Sequence, residues 1–145
     1  MNKMQDTSVT SNQVSLAALI LRLGAGFLML THGIPKLEML LNPAEVQFPG
    51  VLGLSPALSL GLAVFAEVFC SILIIVGLGT RFATIPLIIT MLIAVFLIHG
   101  GDPFARQEMG LLYLFLYVPL LILGSGKYSL DQVLKRLRHP IAAKA

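Results

Sequence analysis

The chain has 145 residues, of which 57% are hydrophobic and only 12% are charged, and its mean hydropathy is +0.89. Because a soluble domain usually carries about 25% charged residues, this composition excludes an ordinary soluble domain and indicates an integral membrane protein. The net charge of +3 does not indicate nucleic-acid binding, since the basic residues gather at the C-terminus. The single cysteine, Cys70, can form neither an internal disulfide nor a Cys-x-x-Cys redox pair.

Three apolar segments approach the roughly 20 residues that a helix needs to cross a bilayer core of about 30 Å, and a fourth, 109–123, reaches that length if Gln107 and Glu108 lie at its interfacial end. Pro and Gly clusters separate them, and Pro35 is expected to end the first. Arg22 interrupts the first segment, so we expect this segment to remain as a helix and not to be a cleaved signal peptide. The chain is predicted to be a single domain, 1–145, with an all-α fold: an integral membrane four-helix transmembrane bundle with spans at about 14–34, 57–78, 82–98 and 107–123.

The C-terminal stretch 129–138 differs from the spans. Leu130, Val133, Leu134 and Leu137 recur at helical spacing, and the basic residues fall elsewhere on the helical wheel. This pattern predicts a short basic amphipathic helix lying on the membrane surface; a frayed tail is the alternative.

The distribution of Lys and Arg predicts the orientation, because cytoplasmic loops carry an excess of both. One side of the predicted bundle carries only Lys36 and Arg106. Both termini are therefore expected in the cytoplasm, in the bacterial inner membrane. The opposite side carries the other loop and tail residues: Lys3, Arg81, Lys127, Lys135, Arg136, Arg138 and Lys144.

Two charges fall inside predicted spans, Arg22 in the first and Glu67 in the second. A charge at the centre of a membrane helix costs roughly 2.5–3.5 kcal/mol on insertion scales. At 1.5 Å per residue, Arg22 and Glu67 are expected at about 12 and 16 Å from the cytoplasmic ends of their helices. We therefore predict that they form an intramembrane polar pair. The pair either fixes the helix register only or also contacts a substrate, a cofactor or a proton.

A second polar layer is predicted near the outer surface, as a candidate binding site. Its two histidines, together with Asp102 or Glu108, have the chemistry of a zinc, iron or copper site. The spacing matches no local metal motif, so no metal is assigned, and solvation by lipid headgroups is the alternative. Tyr113 and Tyr117 lie one turn apart and could contact a flat ring such as a quinone, or serve in packing. The outer layer consists of His32, Lys36, His99, Asp102, Arg106 and Glu108.

Four stretches together resemble the DoxX family of small bacterial membrane proteins with four helices. They are Arg22-Leu-Gly with Thr31-His-Gly-Ile-Pro-Lys36, Ala66-Glu67, Gly77-Leu-Gly-Thr-Arg81, and Gly124-Ser-Gly-Lys-Tyr-Ser-Leu-Asp131. The resemblance implies an association with redox systems, because the family includes a subunit of a thiosulfate:quinone oxidoreductase and members linked to oxidative stress.

Three functions follow as alternatives. The leading hypothesis is an inner-membrane subunit or accessory of a redox system, with a quinone as the candidate cofactor and a membrane or periplasmic redox protein as partner. The second is a small-solute or proton-coupled transporter, acting as a homo-oligomer. The third is a structural subunit of a larger membrane complex. Whether the protein is an enzyme is left open, and the lipid bilayer is a partner in every case.

Overall fold

The computed structural model describes residues 9–42, 44 and 46–138; Lys3 and Lys144, which entered the orientation argument, lie outside them. The described residues form five helices and no strand. Four of these helices, α1 to α4, are long and apolar enough to cross a membrane, which confirms the predicted all-α bundle of four spans. The helices are α1 (Ser11–Leu41), α2 (Pro56–Val76), α3 (Thr80–Ile98), α4 (Phe104–Leu123) and α5 (Leu130–Arg138).

Helix α1 is longer than predicted. It begins after Thr10, whose hydroxyl accepts the backbone N–H of Gln13 at 3.3 Å while the Gln13 side chain accepts the Thr10 N–H at 2.8 Å. This reciprocal capping satisfies two donors that a helix start leaves free. The prediction that Pro35 ends the helix was wrong, because α1 continues to Leu41. A proline removes a single backbone donor, and the segment after it, 36–41, consists of good helix formers.

Two of the membrane helices contain π-helical turns. In α2 the π-helical segment is Phe65–Cys70, and Glu67 lies inside it. In α3 the π-helical segment Ile93–Ile98 forms the last part of the helix. Such segments insert an extra residue per turn and occur frequently at functional sites. Hydrophobic periodicity does not reveal them in an all-apolar run, so they were not predicted.

Close packing of α1 against α2 sets the register between the two helices. A Cβ on Gly26 would lie 2.4 Å from Ile75 Cγ1, and a Cβ on Gly33 would lie 3.0 Å from Glu67 Cβ. Small residues at these positions let the two backbones approach. Gly33 therefore lies level with Glu67, and Arg22, eleven residues earlier, lies about 16 Å away along the helix axis.

Candidate functional site

Arg22 is almost fully buried, at 1% exposure, and backbone carbonyls surround its guanidinium. Its Nε donates to the carbonyl of Ile74 at 2.9 Å and Nη2 donates to the carbonyl of Ile75 at 3.1 Å. Its Nη1 donates to the carbonyl of Tyr128 at 2.9 Å and also to that of Ser125. The first two carbonyls belong to the last turn of α2, where carbonyls lack the N–H of a following turn, although that of Ile74 also accepts the N–H of Gly77 at 3.1 Å. Arg22 therefore caps α2 and binds the segment before α5 to it.

The tight turn after α2 fits this arrangement. Gly77 has φ 74°, and its N–H donates to Ile74 while the N–H of Leu78 donates to Leu73, which is a Schellman motif. A Cβ on Gly77 would lie 2.6 Å from Arg22 Nη2. Glycine is required here both for the left-handed backbone conformation and for the approach of the guanidinium.

Asp131 attaches the C-terminal segment to the same turn. Its carboxylate accepts the N–H of Gly79 at 3.0 and 3.1 Å and the hydroxyl of Ser125, and its own N–H donates to the carbonyl of Gly77 at 3.1 Å. The carboxylate faces the N-terminus of α3, where negative charge is favourable. Three of the four stretches that resemble the family thus meet in one cluster, which we call the Arg22 clamp: Arg22, the turn 77–81 and the segment 124–131.

The predicted pairing of Arg22 with Glu67 was wrong. The prediction assumed that the predicted start of α1 and the predicted end of α2 lie at the same membrane surface. Instead, the first turns of α1 extend beyond α2 and pack against the segment before α5. A Cβ on Gly126 would lie 3.4 Å from Ser15 Cα, and Lys127 Nζ donates to the side chain of Ser11 at 2.8 Å. The end of α2 therefore lies level with Arg22. Glu67 lies level with Gly33, about 16 Å away along the helix axis.

Glu67 pairs instead with Lys36, which was predicted to belong to the outer layer. Lys36 Nζ lies 2.5 Å from Glu67 Oε1; the carboxylate is 1% exposed and the lysine side chain 30%. The other oxygen, Oε2, is buried and has no hydrogen-bond partner among the described residues. Lys36 Nζ also lies 5.9 Å from the centre of the Phe48 ring. A buried carboxylate with one free acceptor is costly unless a further donor reaches it.

The Lys36–Glu67 pair borders a cavity of about 360 Å³ between α1, α2, α3 and the loop that joins α1 to α2. Apart from the ion pair, its polar side chains are Ser59 and Thr90. Both π-helical segments contribute to the wall. The loop contributes Leu52, which has φ 54°, a backbone conformation that costs a non-glycine residue about 1–2 kcal/mol. The apolar lining is Phe48, Pro49, Val51, Leu52, Leu54, Leu62, Ala63, Ile89, Ile93, Ala94 and Ile98.

A smaller cavity of about 150 Å³ lies on the other side of the ion pair, between α1, α3 and α4. His32 and Tyr113 border it, and their rings pack edge to face with centres 5.8 Å apart. Tyr117 stacks beneath Tyr113, also at 5.8 Å, and is fully buried with its hydroxyl unpartnered among the described residues. Tyr113 thus borders the smaller cavity and Tyr117 does not, and both belong to the buried core of the bundle. The remaining lining residues are Met29, Lys36, Glu67, Met91, Ala94, Met109 and Gly110.

The rest of the predicted outer layer forms a separate group at the turn between α3 and α4. His99 Nδ1 lies 2.7 Å from Asp102 Oδ2, and Arg106 Nη1 lies 3.5 Å from the same oxygen. The hydrogen bond with His99, together with the charge of Arg106, holds the pKa of the Asp102 carboxyl below its ordinary value. Glu108 is exposed and belongs to neither group. Within the described residues, no three His, Cys, Asp or Glu side chains converge as metal ligands.

Sequence reasoning missed the loop residues of the larger cavity, above all Phe48. The loop reads as a set of turn residues, Asn42-Pro43 and Phe48-Pro49-Gly50, and nothing local shows that it folds back over the bundle. The backbone N–H of Val51 donates to the Ser59 hydroxyl at 3.0 Å. This contact holds the loop against the first turn of α2.

The comparisons with known proteins agree with this architecture. The DoxX family model matches residues 17–100, more than half of the chain, and this range includes Arg22, Lys36, Glu67 and the turn 77–81. A protein of Haemophilus influenzae, named only as an uncharacterized protein, is 28% identical over 141 residues, covering 92% of this chain and 93% of its own. No solved structure matches the chain. The chain therefore belongs to the DoxX family and is a multi-pass membrane protein.

Proposed function

We propose that the protein is a membrane subunit or accessory of a quinone-linked or oxidative-stress redox system and that it binds the head group of a quinone in the larger cavity. One observation carries the proposal: a buried ion pair with an unused carboxylate oxygen lies at the polar end of an apolar cavity of about 360 Å³. Binding sites for small molecules measure roughly 300–1,000 Å³ and combine an apolar lining with a few polar groups that orient the ligand.

The two charged groups match the two redox forms of a quinone head. The Lys36 ammonium donates to a quinone carbonyl, and Glu67 Oε2 accepts the hydroxyl of the reduced form. The Phe48 ring, close to the ammonium, offers a face for the quinone ring. Leu62 and Ile89 line the cavity and are 52% and 51% exposed, so an isoprenoid tail leaves between α2 and α3 into the lipid.

The proposal includes the side of the membrane that the site faces and the partner that it meets there. With both termini in the cytoplasm of a bacterium, the loop before α2 and the His99–Asp102 turn face the outer side of the inner membrane. The quinone head then lies near that surface, where a membrane or periplasmic redox protein exchanges electrons with it. The excess of Lys and Arg at the other end of the bundle supports this orientation.

Quinone binding is tested on the protein purified in mild detergent. The organic extract should contain quinone, and adding a short-chain quinone analogue should raise the melting temperature, because a ligand at about 100 times its Kd stabilises the folded state by about 2.7 kcal/mol. Ala63→Leu places extra carbon in the cavity and should remove the shift. Ala57→Leu makes the same change on an exposed position of α2 and should retain it. An extract without quinone, together with equal shifts in both variants, would contradict the proposal.

A second function, proton-coupled or small-solute transport, is favoured by one observation. The larger and the smaller cavity share Lys36, Glu67 and Ala94, so the ion pair separates two spaces inside the bundle and its opening would join them. Flux into proteoliposomes tests this function, with Glu67→Gln as the variant that should abolish it. Unchanged flux in that variant would remove the transport hypothesis.

A further inference from the structure

We propose that the smaller cavity is a binding site for a monovalent soft metal ion, Cu(I), with the thioethers of Met29, Met91 and Met109 and the imidazole of His32 as ligands. This proposal does not depend on quinone binding. The four side chains come from three helices, α1, α3 and α4, and all line the cavity of about 150 Å³. The inference rests on the identity of the donors, on their placement and on the charge around them.

The donors are concentrated in this one place. Of the four methionines among the described residues, only Met39 lies away from the cavity. Methionine often fills irregular gaps in a core, but these three side chains border empty space. Met29 and His32 are three residues apart on α1 and therefore share a face of the helix. Thioether and imidazole ligands favour Cu(I), whereas zinc sites in proteins use thiolate, imidazole and carboxylate.

The charge of the site favours a monovalent over a divalent ion. Thioethers and a neutral imidazole carry no charge, and the charged groups facing the cavity are Glu67 and Lys36. Lys36 holds Glu67 Oε1 at 2.5 Å, so the pair is neutral overall. The cost of taking an ion out of water rises with the square of its charge, and this cost is large in an apolar interior. The ion pair therefore adds no net charge to the wall of the cavity, which suits an ion of low charge.

The four ligands lie at different depths and so form an entry path for the ion. Met29 and Met91 are 1% and 7% exposed, whereas Met109 is 53% exposed and His32 also lies on the exposed side. An ion that arrives at His32 and Met109 moves inward to Met29 and Met91. The edge-to-face contact between His32 and Tyr113 orients the imidazole at the mouth of the cavity.

Cu(I) binding is measured on the detergent-purified protein, under reducing and anaerobic conditions, by competition with the chromophoric chelator bicinchoninate. We expect one Cu(I) per chain. Met29→Leu and Met91→Leu should each weaken binding by at least about tenfold, since losing even an outer-shell partner of a metal ligand costs 10–100-fold. Met39→Leu, the same substitution on α1 outside the cavity, should retain the affinity. Met-to-Leu changes keep the side-chain volume, so a melting temperature close to that of the wild type verifies the fold of each variant.

Two further measurements complete the test. Ag(I), which has the same ligand preference and no redox chemistry, should raise the melting temperature of the wild type and not that of the Met29→Leu/Met91→Leu double variant. Zn(II) should raise neither. The proposal is overturned if the wild type does not compete with bicinchoninate, or if Met39→Leu weakens binding as much as Met29→Leu. Because none of these variants changes a residue of the larger cavity, quinone binding is scored separately with Ala63→Leu.

Discussion

Replacement of Arg22 is the most direct perturbation of the clamp that closes one end of the bundle. Arg22→Met keeps a long side chain but removes the donors to four carbonyl oxygens. A hydrogen bond to a charged group contributes about 1.5–3 kcal/mol, so simple addition would give about 6–12 kcal/mol. The effect will be smaller, because the Ile74 carbonyl keeps the N–H of Gly77 and water reaches the half-buried carbonyls of Ser125 and Tyr128.

The loss of stability is reduced further because the variant avoids the free-energy cost of removing the guanidinium charge from water. We therefore expect Arg22→Met to lower the free energy of unfolding by about 3–5 kcal/mol, because a carbonyl that stays buried without a donor costs about 1–3 kcal/mol. Arg22→Lys should lie in between, at about 2 kcal/mol, because an ammonium has three donors and lacks the planar fork that reaches four acceptors.

Unfolding in detergent micelles, with linear extrapolation to zero denaturant, measures these differences. Arg81→Met is the matched control at the same end of the bundle, because Arg81 donates to the carbonyl of Ile122 at 3.0 Å on the exposed surface. Because this contact is exposed to solvent, its loss should cost no more than about 1 kcal/mol. If Arg22→Met cost no more than Arg81→Met, or if Arg22→Lys were as stable as the wild type, the clamp would not stabilise the fold as argued.

Three other predictions concern the contacts between helices and the outer turn. Gly33→Ala should destabilise the bundle by about 1–3 kcal/mol because its Cβ would lie 3.0 Å from the backbone of Glu67, whereas Gly24→Ala, with no atom within 4 Å, should be neutral or stabilising in a thermal melt. A double-mutant cycle of Lys36→Met and Glu67→Gln should give a coupling energy of 0.5–3 kcal/mol, as for residues in contact; a value near zero would mean that the pair is not formed in the membrane. The lowered pKa of Asp102 means that its contribution to stability is complete above the ordinary pKa of the carboxyl, 3.8, and is lost as the pH falls through the lower value of the folded state. An NMR titration of this carboxyl checks that direction, and a midpoint at or above 3.8 would contradict it.

The amino-acid sequence alone was sufficient for the membrane class, the four spans and the family. The class and the spans depend on the length of single apolar runs, and the family depends on four short motifs that are visible without knowing which residues are in contact. It also singled out Arg22 and Glu67, because a charge in an apolar run is visible without any neighbour. The predicted end of α1 was wrong for a local reason. The prediction gave more weight to the helix-breaking tendency of Pro35 than to the helix-forming residues that follow it.

The partners of those two charges were decided only by the tertiary structure. A shift of one helix along another changes no residue in either sequence, yet here it brings Arg22 to the end of α2 and Glu67 to the level of Gly33. The register depends on glycines that let backbones touch and on a C-terminal segment that folds back from position 131 to the turn at position 79. The cavities also depend on tertiary structure, because they are spaces between helices whose separation is set by contacts at other positions. The charges could be found in the chain, but their partners and the empty space beside them exist only in the folded bundle.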